Sequence, residues 1–264
     1  MKIGIFDSGL GGLIITRAIR EVMPQYDYVY FGDTKNMPYG NKTHKEVLSY
    51  TQRAVDYLFR QEDCALIIIA CNTASARALR QIQQKYLPKN FPNRRVLGVL
   101  IPGAEEVSNY KKIGIIATNG TVASKTFPTE INKLNNKAEV FQKAAPMLAP
   151  LIEEGNLKEA SVYLKEYLKY FEDKNLNALV LGCTHYPIMK KEIRKILSPK
   201  IKIISQDELI PKKLKNYLSK HAEISKKLSK NKTIKMLATA NTKNMSLLAK
   251  KWFGYSKPFT IVTN

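Results

Sequence analysis

The sequence predicts an α/β fold with two similar α/β domains, whose mainly parallel sheets face each other across a cleft. Short apolar runs alternate with longer amphipathic stretches, which is the α/β pattern. Two of these runs, residues 65–69 and 178–181, are continuously apolar, as in strands buried on both faces of a parallel sheet. A weak internal repeat indicates that the same unit occurs twice.

The elements follow from hydrophobic spacing. A strand at 3–6 precedes a helix at 13–22, whose apolar residues recur at helical intervals. The remaining predicted elements are a strand at 28–31, a loop at 32–40, a helix at 45–61, a strand at 65–69, a helix at 74–86, a turn at 88–93 and a strand at 96–100. Residues 208–264 are rich in predicted helix and basic residues, with one further strand at 233–238.

The repeat joins the segments KIGIF at 2–6 and KIGII at 112–116. Ile3 precedes Cys71 by 68 residues, and Ile113 precedes Cys183 by 70, so matching first strands and matching cysteine strands are almost equally separated. We expect the C-terminal helices to cover the first domain. The predicted first domain is therefore discontinuous, with residues 1–94 plus 208–264, and the second covers 95–207.

Composition limits the functional classes. With 44% hydrophobic and 25% charged residues among 264, the chain is predicted to be globular, and no apolar run approaches the roughly 20 residues of a membrane span. Three distant cysteines without a CxxC pair argue against a zinc site and a disulfide framework, and they favour a reducing cytoplasm. We expect no metal.

The net charge of +21 suggests an alternative class, a basic nucleic-acid-binding protein. Residues 190–235 contain 15 Lys or Arg against four acidic residues, which can attract phosphate backbones. A solvated, lysine-rich surface explains the same charge. Because no nucleic-acid motif accompanies it and Lys outnumbers Arg, we do not expect nucleic acid to be a partner.

Two cysteines follow the carboxyl ends of the apolar strands, where ligands bind in open α/β sheets. Cys71 is followed by Asn72 and Thr73, and Cys183 by Thr184 and His185. A single cysteine there is more often a buried structural residue. Two at equivalent positions indicate an acid/base group on each side of one carbon. The free thiol has a pKa of about 8.5, which a helix N-terminus or a protonated His185 would lower. Cys64, His44 and His221 are predicted to have no role.

A glycine-rich loop, DSGLGG at 7–12, connects the first strand to the first helix. It has neither the GxGxxG spacing nor the lysine of a P-loop, so a small carboxylate fits it better than a nucleotide. Asp7 and Ser8 have two interpretations. They cap the helix, or Asp7 orients an amino group or tunes a neighbouring thiol.

Five motifs together resemble the glutamate racemases of the aspartate/glutamate racemase family: DSGLGG at 7–12, FGDT at 31–34, PYG at 38–40, ACNTA at 70–74 and GCTHYP at 182–187. They occur in the family's order over almost the whole chain. The resemblance implies cofactor-independent interconversion of L- and D-glutamate by two cysteines, with D-glutamate supplied to peptidoglycan synthesis. It also implies a homodimer.

Residues carried over by motif are those that would act on or hold glutamate. Cys71 would deprotonate D-glutamate and Cys183 L-glutamate. The substrate-binding positions would be Asp7, Ser8, Tyr39, Gly40, Asn72, Thr73, Thr184 and His185, with Thr118, Thr121 and Glu153 as possible additions. Two features depart from the family: the segment LATAN at 237–241 lacks an expected Gly-Asp, and Ala145 replaces a frequent cysteine.

Three rival interpretations stay open. An aspartate racemase would share the architecture. A one-base enzyme would use only Cys183 and His185. A cysteine hydrolase would need one nucleophile with a paired base, and it leaves the second strand-end thiol without a function.

Overall fold

The structure, a computed structural model, describes residues 1–254 and 258–263. Within them, ten strands form a six-stranded sheet of order β10-β9-β2-β1-β3-β4 and a four-stranded sheet of order β6-β5-β7-β8. All the paired strands run parallel. The strands are β1 (Lys2–Asp7), β2 (Tyr28–Gly32), β3 (Cys64–Ile69), β4 (Arg95–Gly98), β5 (Lys112–Ala117), β6 (Glu139–Ala144), β7 (Ala178–Gly182), β8 (Lys202–Ile204), β9 (Ile234–Ala238) and β10 (Thr260–Ile261).

Helices connect the strands and cover the sheets. They are α1 (Gly12–Val22), α2 (His44–Arg60), α3 (Asn72–Arg77), α4 (Leu79–Gln81), α5 (Leu87–Asn90), α6 (Leu100–Val107), α7 (Asn119–Ala123), α8 (Thr126–Leu134), α9 (Leu148–Glu153), α10 (Leu157–Lys169), α11 (Lys190–Ile196), α12 (Gln206–Lys220), α13 (Ala222–Ser225) and α14 (Met245–Phe253). Short 3₁₀ turns cover Tyr39–Asn41 and Tyr186–Met189. Within the described residues, no helix combines the length and apolarity needed to cross a bilayer.

The predicted pair of α/β units with parallel sheets is confirmed. In the first unit β1 pairs with β3, and in the second β5 pairs with β7. Gly4 and Gly114 occupy equivalent positions in β1 and β5, each packed against side chains of the paired strand. Cys71 and Cys183 consequently follow equivalent strands.

The C-terminal segment returns to the first sheet. Strand β9 pairs with β2, while α12 and α14 pack against α1. Strand β4, which the predicted boundary assigns to the second domain, pairs with β3 in the six-stranded sheet. Sheet pairing therefore favours a first boundary after Gly98. The predicted division into 1–94 plus 208–264 and 95–207 stays a prediction.

The single helix predicted at 74–86 is wrong in detail. The chain forms α3 from Asn72, then α4, a π-helical turn over Ile82–Tyr86 and α5, so helix extends into the predicted turn as far as Asn90. Pro88 has no N–H to donate to the carbonyl four residues earlier, which accounts for an irregular turn just before it.

One buried apolar cluster extends through both units. It contains Ile15 of α1 and Leu66 of β3 together with Leu151 of α9 and Leu181 of β7. Two further clusters fill the opposite face of each sheet. The two units therefore share an apolar contact that fixes the strand ends bearing the cysteines.

Candidate active site

Cys71 and Cys183 line one cavity of about 370 Å³ at the carboxyl ends of the two sheets. Both side chains are almost fully buried. The predicted residues that share this cavity are Ser8, Tyr39, Gly40, Asn72, Thr73, Thr118, Glu153, Thr184 and His185. The structure thus brings together residues from the loops after β1, β2, β3, β5 and β7. The volume of the cavity lies within the range of small-molecule binding sites.

Cys71 is the N-cap of α3, and its Sγ accepts the backbone N–H of Ala74 at 3.4 Å. Burial, and after it the nearby Asp7 carboxylate, raise the pKa of the Cys71 thiol to about 12, although hydrogen bonds from Ser8 and Ala74 lower it. The helix N-terminus lowers this pKa through the Ala74 N–H, as expected, but burial and Asp7 outweigh it. Without a ligand, Cys71 is a neutral thiol, which is a proton donor.

Cys183 has a different neighbour. Its Sγ lies 3.6 Å from Nδ1 of His185, whose Nε2 lies 2.8 Å from a carboxylate oxygen of Glu153. Burial opposes a charged imidazole, but the Glu153 carboxylate and Cys183 outweigh it and hold the pKa of His185 well above 6.5. Burial likewise opposes a charged Glu153, yet His185 lowers the pKa of that carboxyl. The two form a buried ion pair behind Cys183.

Asp7 ends β1 directly behind the residues that line the cavity and is fully buried. Its carboxylate accepts the backbone N–H of Gly9 at 3.1 Å and the Thr184 hydroxyl at 3.4 Å. Helix α1 begins after Gly11, which makes no side-chain capping bond. Neither Asp7 nor Ser8 is therefore the N-cap, but the Asp7 carboxylate does interact with the backbone N–H of Gly12, the first residue of α1. Asp7 also connects the loop after β1 with the segment after β7.

Three threonine hydroxyls meet across the cleft. Thr73 Oγ1 lies 2.9 Å from Thr118 Oγ1 and 3.3 Å from Thr121 Oγ1. Thr118 also caps α7 by accepting the backbone N–H of Thr121. Thr121 is fully buried and lies behind the cavity wall. Gly40 approaches this cluster closely, because a Cβ there would lie 3.0 Å from Thr118.

Asp33 supplies a buried carboxylate that the sequence did not predict as a site residue. It is fully buried and accepts hydrogen bonds from the Tyr39 hydroxyl at 2.5 Å, from Asn36 and from Thr239 at 2.8 Å. Thr239 belongs to the segment that lacks the expected Gly-Asp. That segment is nevertheless held in place, since Thr34 bonds both the carbonyl and the N–H of Ala240. The position of Asp33 at the end of a predicted apolar strand, within the FGDT motif at 31–34, could have indicated this buried carboxylate.

The C-terminal region supplies further cavity residues that the sequence did not predict. Thr242, Lys243, Asn244 and Leu248 line the cavity, and the Trp252 ring stands edge-on to His185 at 5.8 Å. Lys243 is exposed and is the one Lys or Arg among the described lining residues. Ala145, the second departure, is buried, and its carbonyl accepts the Tyr186 hydroxyl.

Cys64 is the first residue of β3 and lies outside the cavity. His44 is exposed, while His221 is partly buried and stacks on Tyr217. All three cysteines are free. In residues 1–254 and 258–263, no group of three or more His, Cys, Asp or Glu side chains is placed to hold a metal ion.

A sequence model described as Asp/Glu/Hydantoin racemase matches residues 13–207. The chain belongs to this racemase family. It is 41% identical over 224 residues to the glutamate racemase of Chlorobaculum parvum, covering 83% of this chain and 80% of the relative. It is also 41% identical over 221 residues to the enzyme of Sulfurihydrogenibium sp., covering 82% of each.

Solved structures of the family agree. The glutamate racemase of Francisella tularensis, in complex with D-glutamate, matches with a TM-score of 0.89 and 33% identity, covering 99% of this chain and 97% of that one. The predicted family membership and fold are therefore confirmed.

Proposed function

We propose that this racemase-family chain is an isomerase that interconverts L- and D-glutamate without a cofactor, with Cys71 and Cys183 as the two proton-transfer groups. The observation that carries the proposal is the pair of thiols, one from each α/β unit, on one cavity. The names of the similar enzymes, and the D-glutamate bound to the Francisella protein, support glutamate as substrate.

In the proposed reaction, one sulfur as thiolate takes the proton from Cα, and the other as thiol delivers a proton to the opposite face. The Cα–H bond breaks and a new one forms on the other side, while thiolate and thiol exchange places. In the direction from L to D, Cys71 is the proton donor and Cys183 the proton acceptor. Cys71 holds its proton because of burial, and Cys183 has the cationic His185 as a hydrogen-bond partner.

The substrate's carboxylates need donors in the cavity. The hydroxyls of Ser8, Thr73 and Thr184 and the amide of Asn72 line it and are the proposed donors. Buried, fixed donors of this kind stabilise developing negative charge more strongly than water does. Lys243 at the rim adds a positive charge.

The decisive experiment follows circular dichroism and deuterium in D₂O. Purified protein is expected to abolish the optical rotation of L-glutamate and of D-glutamate and to place solvent deuterium on Cα of the product. L-aspartate is the control substrate. Faster turnover of aspartate would replace the proposed substrate, and optical change without deuterium would exclude proton transfer at Cα.

Three further properties are part of the proposal. The family resemblance implies a homodimer, the cysteine content favours a cytoplasmic location, and the resemblance also implies the use of D-glutamate in peptidoglycan synthesis. Sedimentation velocity tests the first of these. Depletion of the protein in its native cell tests the last, with external D-glutamate expected to restore growth.

A further inference from the structure

Asn72, the cavity residue next to Cys71, forms a reciprocal amide pair with Gln206. Asn72 Nδ2 donates to Gln206 Oε1 at 2.7 Å, and Gln206 Nε2 donates to Asn72 Oδ1 at 2.5 Å. Both residues are buried, with 2% of Asn72 and 1% of Gln206 exposed. Gln206 does not line the cavity that contains the two thiols.

The pair connects the two α/β units. Asn72 is the first residue of α3, which follows β3 of the six-stranded sheet. Gln206 is the first residue of α12, just after β8 of the four-stranded sheet. The contact therefore spans the cleft at the point where the chain leaves the second sheet and returns to pack on α1.

The hydrogen-bond capacity of Asn72 gives this contact its consequence. A carboxamide has two N–H donors and a carbonyl oxygen with two lone pairs. The reciprocal pair uses one donor and one lone pair, so one of each is left for a ligand. Because buried polar groups are costly to leave unpaired, Gln206 fixes the plane in which the remaining groups of Asn72 lie.

We infer that Gln206 is a positioning residue that presents the Asn72 amide to the substrate. This inference rests on the proposed function, in which Asn72 binds glutamate. Gln206 acts only through Asn72, since it lies outside the cavity. Removing its amide leaves Asn72 free to rotate away from the substrate and to bond elsewhere.

The test is a double-mutant cycle of Gln206→Met and Asn72→Ala, with kcat and KM measured for both enantiomers. Methionine keeps the volume of glutamine but has no donor. We expect Gln206→Met to raise KM about tenfold with kcat changed less than about twofold, the signature of lost uniform binding. In the Asn72→Ala background the same substitution is expected to change KM less than about twofold, because the two effects share one contact.

Gln83→Met is the matched control. Gln83 is exposed, unlike Gln206, and donates one hydrogen bond, to the carbonyl of Val96 at 2.7 Å, away from the thiols. It is expected to leave KM unchanged. Should Gln206→Met not accumulate as folded protein, Gln206→Asn, one methylene shorter, is expected to raise KM in the same direction.

The outcomes separate the two proposals. A wild type that does not racemise glutamate overturns the proposed function and this inference with it. An active wild type in which Gln206→Met leaves KM unchanged, or in which its effect adds in full to that of Asn72→Ala, overturns the inference alone.

Discussion

Oε1 of Glu153 lies 2.8 Å from Nε2 of His185 and also accepts the backbone N–H of Leu10 at 3.1 Å. One carboxylate oxygen thus joins helix α9, the segment after β7 and the loop after β1. With only 16% and 8% of the two side chains exposed, the ion pair is shielded from solvent. It holds the imidazole that contacts Cys183.

Glu153→Gln is expected to destabilise the protein by about 3 kcal/mol at pH near 6, because it leaves a buried imidazole without its counter-charge. The raised pKa of His185 contributes stability below its ordinary value of 6.5 that disappears as the pH rises through the folded value. The lowered pKa of Glu153 contributes stability above 4.5 that disappears as the pH falls through its folded value.

The difference in unfolding free energy between wild type and Glu153→Gln should therefore be largest between pH 4.5 and pH 6.5, the ordinary pKa values of the two groups. It should become smaller at lower and at higher pH. Urea unfolding across a pH series measures it. A difference that does not vary with pH would contradict the ion pair.

Cys71→Ser and Cys183→Ser are each expected to lower glutamate racemisation by about 1,000-fold, because a hydroxyl is a much weaker acid than a thiol. Circular dichroism measures the rate. Cys64→Ala is the control, since Cys64 is a buried thiol in β3 outside the cavity, with its pKa raised to about 12 by burial. Full activity in either serine variant would exclude the two-base reaction, and loss confined to Cys183→Ser would favour the one-base rival.

Gly11→Ala tests the close approach between α1 and the segment after β7. A Cβ at Gly11 would lie 2.5 Å from Thr184 Oγ1 and 2.6 Å from Cε1 of His185, so one of these side chains must move. A displacement of this size is expected to lower kcat/KM by about 100-fold.

Gly103→Ala in α6 is the matched control. Its nearest neighbour to an added Cβ is Phe127 at 3.5 Å, an ordinary contact. Because alanine has a higher helix propensity than glycine, the unfolding free energy of the protein should rise by up to about 1 kcal/mol, and the activity should not change. Equal activity in both alanine variants would show that the Gly11 contact does not constrain the reaction.

Tyr39→Phe removes the hydroxyl that donates to the buried carboxylate of Asp33. Loss of a hydrogen bond to a charged group should lower the unfolding free energy by about 1.5–3 kcal/mol. KM for glutamate should also rise, because Tyr39 and Gly40 line the cavity. Urea unfolding and steady-state kinetics measure the two effects.

Tyr50→Phe is the comparison, since it removes a hydroxyl from the ring 5.9 Å from that of Tyr39 but no bond to Asp33. Equal KM values for Tyr39→Phe and wild type would show that the hydrogen bond from Tyr39 to Asp33 has no effect on substrate binding.

Local patterns were enough to predict the inner strands of both sheets and the cysteine positions, but not the edge strands β6, β8 and β10. The apolar runs that became β3 and β7 are buried along their whole length, and burial on both faces is directly visible in sequence. The nearly equal spacing to Cys71 and Cys183 indicated that the two runs are equivalent. Each predicted site residue lies on the cavity or, as with Asp7 and Thr121, directly behind it.

Long-range partners were not predictable in this way. Gln206 is 134 residues from Asn72, and nothing in its neighbourhood distinguishes it from an ordinary polar residue at the start of a helix. The raised pKa of Cys71 likewise depends on burial and on Asp7, neither of which the local sequence reveals. The π-helical turn before Pro88 depends on a compromise between helix continuation and a missing N–H.

The unlike surroundings of the two sulfurs limit what kinetics can reveal about them. Mirror-image amino acids have equal free energies in water, so for the proposed reaction the quotient kcat/KM must be the same for both enantiomers at every pH. The acidic neighbour of Cys71 and the cationic neighbour of Cys183 can therefore make one enantiomer bind more tightly only by making it turn over more slowly. A chiral inhibitor is under no such constraint, and it can distinguish the two halves of the cleft.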